Sequence, residues 1–278
     1  MSIDPVLIIP QRTSRRSYQN TPLSSELFDF TKALLVENTI GPLGSVCHFQ
    51  IVSKHSESTQ KLKLGTYGFI QGARQFIVGQ VEPSEIAWLD YGFLLENIIL
   101  ELTQQKLGTC WLGGTFDRGE FSKAIGLRKG WVIPAITPFG YPTKNRGLGD
   151  RVIRAGAGSK NRKSWEELFF SAETKKPMAT DGLGNIHQWL EMLRIAPSAS
   201  NKQPWRIQIH QDKLQLYINR KSGYQKMFDS IDLQMIDMGI AMCHLNLMAR
   251  KDNHETEWLV EKETEDFFDW EYVISLNY

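Results

Sequence analysis

Two stretches far apart in the chain carry residue types suited to holding a polar ligand. The first is Ala196-Pro197-Ser198-Ala199-Ser200-Asn201-Lys202-Gln203-Pro204-Trp205. Two prolines rule out a continuous helix through it, and between them stand two hydroxyls and a carboxamide. The second is Arg12-Thr13-Ser14-Arg15-Arg16, with Tyr18 beyond. In an extended segment, residues 12, 14 and 16 fall on one side, so two guanidiniums and a hydroxyl face the same way. A guanidinium matches a phosphate in a bidentate way, and such charge-assisted bonds are about twice as strong as neutral ones. By itself the run reads first as solvated basic surface and only second as an anion site.

Two weaker signals accompany them. Lys160-Asn161-Arg162 is basic, and alone it suits a charged linker. Leu107-Gly108-Thr109-Cys110-Trp111-Leu112-Gly113-Gly114 is apolar with an accessible backbone. Its paired glycines let a planar ligand lie against the main chain, with amide N–H groups aimed at it. A tight helix-to-strand turn explains the same residues equally well.

Competing chemistries lack their residues. No G-x-x-x-x-G-K-[ST] run occurs, and the pairs Gly147/Gly149, Gly156/Gly158 and Gly182/Gly184 each lack the third glycine of a dinucleotide fingerprint. Cys47-His48 and Cys243-His244 are adjacent pairs, which diverge on a helix or a strand and form no nucleophile–base dyad. Cys47, Cys110 and Cys243 are odd in number and scattered. That argues against a disulfide scaffold or a zinc site and fits a reducing cytoplasm. Cys110 and Cys243 read as buried packing thiols. The 278 residues are 41% hydrophobic and 23% charged, ordinary values for a globular protein. A net charge of +1 gives no electrostatic case for nucleic acid. The apolar run Val6–Ile9 is too short for a signal peptide. Trp88 to Leu102 is interrupted by Asp90, Glu96 and Glu101, so no membrane span is expected.

The elements that position these stretches follow from periodicity and caps. Residues 6 to 24 form an N-terminal segment leading to a helix over 25–36 with Ser24 as N-cap. A turn at Gly41-Pro42-Leu43-Gly44 precedes strands over 46–52 and 75–81, with a short helix and loop between. The apolar helix over 86–106 should be central and end at Gly108. A short strand or loop over 109–115, a helix over 119–125 and a strand ending near Gly140-Tyr141-Pro142 complete the first half. A basic connector over 143–163 follows. The second half reads as a helix beginning over 165–170, an amphipathic helix over 183–195, and strands over 207–210 and 214–219. A long apolar helix over 232–250 and a strand over 270–276 end the chain.

The two long helices carry a matching mark. Asp90-Tyr91-Gly92 lies in one and Asp237-Met238-Gly239 in the other, 147 residues on, and Trp258 lies 147 residues beyond Trp111. In both halves an amphipathic helix, a turn and an alternating strand precede the long helix. This order indicates an internal duplication, and a duplicated chain imitates a homodimer with a pocket at its pseudo-two-fold seam.

Together these pieces resemble the FMN-dependent nitroreductase family. The matching residues are Arg12-x-Ser14-x-Arg16-x-Tyr18, Asp90-x-Gly92, Gly108 to Gly114, Gly140-Tyr141-Pro142 and Pro197-Ser198-x-x-Asn201-x-Gln203-Pro204-Trp205. In ordinary members the Pro-Ser-x-x-Asn turn follows soon after Arg-x-Ser-x-Arg in a chain that dimerises. Here residues 41 to 45 read Gly-Pro-Leu-Gly-Ser, and the turn survives only in the second half. The resemblance is therefore to a minor group with two fused, diverged halves, expected at 1–156 and 157–278. It implies an α+β nitroreductase-like pseudo-dimer of two mixed-sheet halves, with the long helices at the seam, acting as a monomer.

The resemblance also implies FMN as cofactor and one intact site per chain. Arg12, Ser14 and Arg16 would hold its phosphate, ribityl chain and pyrimidine edge, and Lys160 and Arg162 would act as late phosphate ligands. Leu112, Gly113 and Gly114 would lie beside the flavin. Pro197, Ser198 and Asn201 would reach across from the other half. Tyr67, Phe69 and Gln71 would line the substrate face. Asn253-His254-Glu255-Thr256 replaces the Gly-Thr-Cys-Trp region at the mate site, which is expected to have decayed. The implied activity is ping-pong transfer from NAD(P)H through the flavin to a nitroaromatic or quinone. The alternative is a flavin-binding storage or redox-sensing module.

Overall fold

In a computed structural model that describes residues 3–54, 64–144, 161–220, 231–264 and 267–278, two long helices, Glu85–Gln104 and Leu233–Lys251, cross at the centre. Both are buried nearly all round, as their apolar composition requires. Each starts on a side-chain cap: Ser84 accepts from Ala87 N, and Asp232 accepts from Gln234 N and Met235 N.

In chain order the first half supplies α1 (Pro5–Gln11), α2 (Ser25–Glu37), β1 (Cys47–Ser53), β2 (Gln75–Val81), α3 (Glu85–Gln104), β3 (Gly108–Thr109), α4 (Arg118–Ile125) and β4 (Ile136–Gly140). The second supplies α5 (Trp165–Leu168), β5 (Phe169–Ser171), α6 (Asn185–Arg194), a 3-10 turn (Ala199–Asn201), β6 (Trp205–Ile209), β7 (Lys213–Ile218), α7 (Leu233–Lys251), β8 (Glu257–Leu259) and β9 (Glu271–Asn277). The sheets run β1-β2-β4-β3 and β5-β6-β7-β9-β8. Set β5 aside, and the two halves trace the same antiparallel path. The first sheet is antiparallel throughout, and the second is mixed through β5, which pairs parallel to β6.

The crossing shows that the duplication is structural. A Cβ on Gly92 would stand 2.2 Å from the Ile236 carbonyl oxygen, and one on Gly239 would stand 2.0 Å from that of Leu89. Gly92 and Gly239 are 147 residues apart, and so are Leu89 and Ile236, so the contact is reciprocal, as in an isologous dimer interface. Asp90 and Asp237 repeat the symmetry. Asp90 accepts from Leu43 N (2.9 Å) and Ser45 N (2.8 Å), in the turn after α2. Asp237 accepts from Ala199 N (2.9 Å), in the turn after α6. In each half a buried carboxylate on the long helix ties down the turn between an amphipathic helix and the strand that follows it, β1 in the first half and β6 in the second.

One large core joins α3, α7, α6 and the inner faces of both sheets. A second, around Phe76, Val78, Phe121 and Ile136, fills the space between the first sheet and α4. Helix α1 bridges the halves by packing on α3 and on α6 and α7.

Several expectations need correction. The helix expected to start over 165–170 lasts one turn before Phe169 turns into β5, because pairing with Ile207 satisfies its backbone at the sheet edge. Gly108 does not end α3. The helix stops at Gln104, Lys106 takes the left-handed conformation (φ 60°), and Gly108 opens β3. Helix α1 and strand β8 were not expected. The short helix expected within 56–75 falls partly outside the described residues, as do residues 156 and 157 at the expected boundary between halves.

Candidate functional site

Helix α1 ends at Gln11, and Arg12 caps it with its N–H on Ile8 O (3.1 Å). The chain then runs extended and is stitched on both sides. Arg15 N donates to Thr109 O (2.7 Å), Gln71 N to Arg16 O (2.8 Å), Tyr18 N to Gln71 O (2.9 Å) and Thr143 N to Ser17 O (3.1 Å). Ser14 bridges Thr109 in parallel, and the Tyr18 hydroxyl donates back to Arg15 O (2.7 Å). This segment therefore lies along β3, beside the stretch that ends in Leu112-Gly113-Gly114. Gln71 serves it through its backbone, and Tyr67 is exposed.

The second-half turn holds an unusual backbone. Ser200, Asn201 and Gln203 have φ values of 47°, 56° and 48°. A non-glycine residue in that region costs about 1–2 kcal/mol, and such residues persist where surrounding contacts over-determine them. The contacts are present. Ala199 N is held by Asp237, Gln203 N donates to Ser198 Oγ (2.9 Å), and Gln203 Oε1 accepts from Lys163 N (2.8 Å). Asn201 Nδ2 donates to Asn161 O (2.7 Å), and Arg162 donates to Asn201 Oδ1 (2.5 Å) and Ile195 O (2.8 Å). Pro197 and Ser198 lead into this turn, half-buried.

Arg162 joins the two stretches. Burial pushes its pKa down to about 10, with the Arg12 and Arg194 guanidiniums adding to the depression. Arg12 from the first half and Arg162 beside the second-half turn are thus near enough for their charges to interact across the seam. Arg194 is neutralised by Glu191 through two short bonds (2.7 and 2.6 Å), and Arg12 lies 3.6 Å from Glu96. Among the described residues Arg162 meets only neutral acceptors. A half-buried cation without a counterion, crowded by a second cation, suits an anionic ligand group. Lys160, expected to assist, lies outside the described residues.

The glycine-bearing stretch borders the seam from the first half. Leu112 is buried and exchanges both backbone hydrogen bonds with Ile136 (2.9 Å each). Gly113 O accepts from Arg118, which also donates to Ile133 O and Pro134 O (3.3 Å each). A Cβ on Gly113 would stand 2.9 Å from Leu233 Cδ2, so the start of α7 comes within contact of this backbone. Gly114 is exposed, and neither glycine N–H donates a hydrogen bond among the described residues.

The sequence reading missed a buried polar centre under the site. Glu96 on α3 is fully buried. Its Oε2 accepts from Trp111 Nε1 (2.6 Å), and its Oε1 lies 3.2 Å from His244 Nε2 on α7 and 3.6 Å from Arg12 Nε. His244 Nδ1 is 2.8 Å from Met192 O, an acceptor, so that nitrogen carries a proton. Burial and the nearby Glu96 carboxylate raise the Cys243 thiol well above its ordinary range. The available signal was a charge placed on an otherwise apolar helix. The three cysteines are free and buried, and among the described residues no acidic, histidine and cysteine cluster suits a metal.

A family model described as Putative TM nitroreductase matches residues 6–249. The crystal structure of a putative nitroreductase from Thermotoga maritima aligns over 100% of this chain and 94% of that one, with a TM-score of 0.64 and 20% identity, a likeness of fold. A putative NADH dehydrogenase/NAD(P)H nitroreductase from Bacteroides thetaiotaomicron matches at 23% identity over 52% of this chain and 91% of that one (TM-score 0.42). An FMN-dependent nitroreductase from Clostridium difficile matches at 17% over 50% and 88% (TM-score 0.39). No curated protein matches.

Proposed function

The chain belongs to this nitroreductase family, and from that premise we propose that it is an FMN-dependent oxidoreductase that takes reducing equivalents from NAD(P)H and passes them to a nitroaromatic- or quinone-like acceptor. The observation that carries the reading is Arg162 at the seam, a half-buried guanidinium whose acceptors among the described residues are all neutral and which the Arg12 charge crowds further. A phosphate monoester supplies the counter-charge that Arg162 lacks among the described residues, and the Arg guanidinium fork fits its oxygens.

In this reading Arg12 and Arg162, with Lys160, hold the phosphate. Ser14 and Arg16 serve the ribityl chain and the pyrimidine edge. Gly113 and Gly114 lie beside the ring with N–H groups that donate to no acceptor among the described residues, and Pro197, Ser198 and Asn201 close the pocket from the second half. When bound, the flavin supplies hydride acceptance and donation, which no protein side chain can. The chain's own residues bind and orient, and the cations near the pyrimidine edge stabilise negative charge there. No protein nucleophile or general acid is required. Donor and acceptor take turns at one face, which makes the kinetics ping-pong. The reading treats 1–156 and 157–278 as the two halves of one monomeric, cytoplasmic unit with one working site.

The test is a visible absorption titration of the purified protein with FMN, followed by anaerobic NAD(P)H. One flavin per chain, bleached by NAD(P)H and reoxidised by a quinone, is the expected result. Two per chain would refute the single site. Binding without bleaching would refute the electron donor, and no binding would overturn the proposal.

A further inference from the structure

We propose that Glu96 is a positioning residue of the flavin site: from the seam it holds the Nε edge of Arg12, so that the outer edge of the guanidinium is aimed at the ligand's anionic group. The inference rests on the FMN reading above.

Three observations carry it. Glu96 meets Arg12 through Nε, at 3.6 Å, and leaves the two terminal nitrogens of the fork for another acceptor. The carboxylate accepts from Trp111 (2.6 Å) on the glycine-bearing stretch and lies against His244 (3.2 Å) on the opposite half. It therefore ties together the three segments that border the pocket. The third observation comes from the duplication. The position equivalent to Glu96, 147 residues on, is Cys243, and the equivalent of Trp111 is Trp258. Trp258 Nε1 is buried with no hydrogen-bond partner among the described residues. Where the carboxylate is absent its tryptophan donor is orphaned, and that same half lacks Arg-x-Ser-x-Arg. Glu96 and Arg12 belong to one functional unit, present once.

Two effects of the carboxylate oppose each other. Its charge repels an anion, and its contact orders a long side chain that would otherwise lose rotamer freedom on binding. The Nε-edge geometry favours ordering, since among the described residues no other acceptor takes the terminal nitrogens of Arg12.

The experiment is a double-mutant cycle on FMN affinity, read by flavin fluorescence quenching, with Arg12→Ala, Glu96→Gln and both together. Gln keeps the shape and still accepts from Trp111. Arg12→Ala is expected to weaken FMN binding roughly ten- to hundred-fold, and Glu96→Gln about ten-fold. In the Arg12→Ala background, Glu96→Gln should add less than about two-fold, because it acts through Arg12. Additive losses, unchanged affinity, or tighter binding in Glu96→Gln would overturn the inference. If Glu96→Gln does not fold, Glu96→Asp, which withdraws the carboxylate from Arg12, must weaken FMN, and wild-type affinity in that variant overturns the inference. Wild type that binds no FMN defeats the functional reading and this inference with it. Wild type that binds normally beside an unaffected Glu96→Gln defeats only the inference.

Discussion

The helix crossing at the seam gives the sharpest prediction. In Gly92→Ala the new methyl would stand 2.2 Å from Ile236 O and 3.1 Å from the Gly239 Cα. A carbon–oxygen contact needs roughly 3.3 Å or more, so the helices must part by about 1 Å. The obstacle is helix backbone, so no rotamer change relieves it. Overpacking of this kind costs about 1–3 kcal/mol, and Ala for Gly in a helix returns about 1 kcal/mol. A backbone obstacle on both helices puts the cost at the top of that range, for a net loss of about 2 kcal/mol. Each kcal/mol moves Tm by about 2–4 °C in a domain of this size class. Thermal melting should therefore show a drop of about 4–8 °C for Gly92→Ala and a similar one for Gly239→Ala. The double variant should lose less than the sum, because one separation of the helices accommodates both methyls. An unchanged or raised Tm in either single variant would refute the reciprocal close approach, and additive losses would refute the shared crossing.

Two further tests address the duplication. Trp111→Phe removes a bond to a buried carboxylate and should cost about 1.5–3 kcal/mol, whereas Trp258→Phe removes an unpartnered donor and should cost under about 1 kcal/mol. Chemical denaturation of the pair checks this, and equal costs would show that Trp258 has an acceptor after all. Asp237 is pushed well above the usual carboxylate range by burial, against the opposing Ala199 amide. A raised folded-state pKa gives stability that is complete below the unfolded value of about 3.9 and is lost as pH rises through the folded value. The stability of wild type relative to Asp237→Asn should therefore increase as pH is lowered from about 8 to about 5. Parallel pH profiles would contradict it.

The fold was legible in the sequence wherever local physics sets it. Helix α3 and helix α7 announce themselves by apolar residues on every face, α2 by the cap chemistry of Ser24, and β2 by a run of residues buried on both sides. The 147-residue spacing of Asp90 with Asp237 and of Trp111 with Trp258 was enough to expect a pseudo-dimer. The Arg12 stretch by itself read first as basic surface, and it became legible as chemistry only when joined with the Pro197 to Trp205 turn in one family resemblance.

What tertiary structure decided lies between elements. Phe169 became a strand because β6 offered it an open edge, which no local pattern encodes. Lys106, not a glycine, took the left-handed turn after α3 because Leu107 had to turn back toward Leu102, where its N–H is satisfied. Glu96 broke an apolar helix in the sequence and meant only that no membrane was crossed. Its partners lie on α1's end, on the glycine-bearing stretch and on α7, up to 148 residues away. A buried charge is tolerated only where the fold brings partners to it, and sequence shows the charge without the partners.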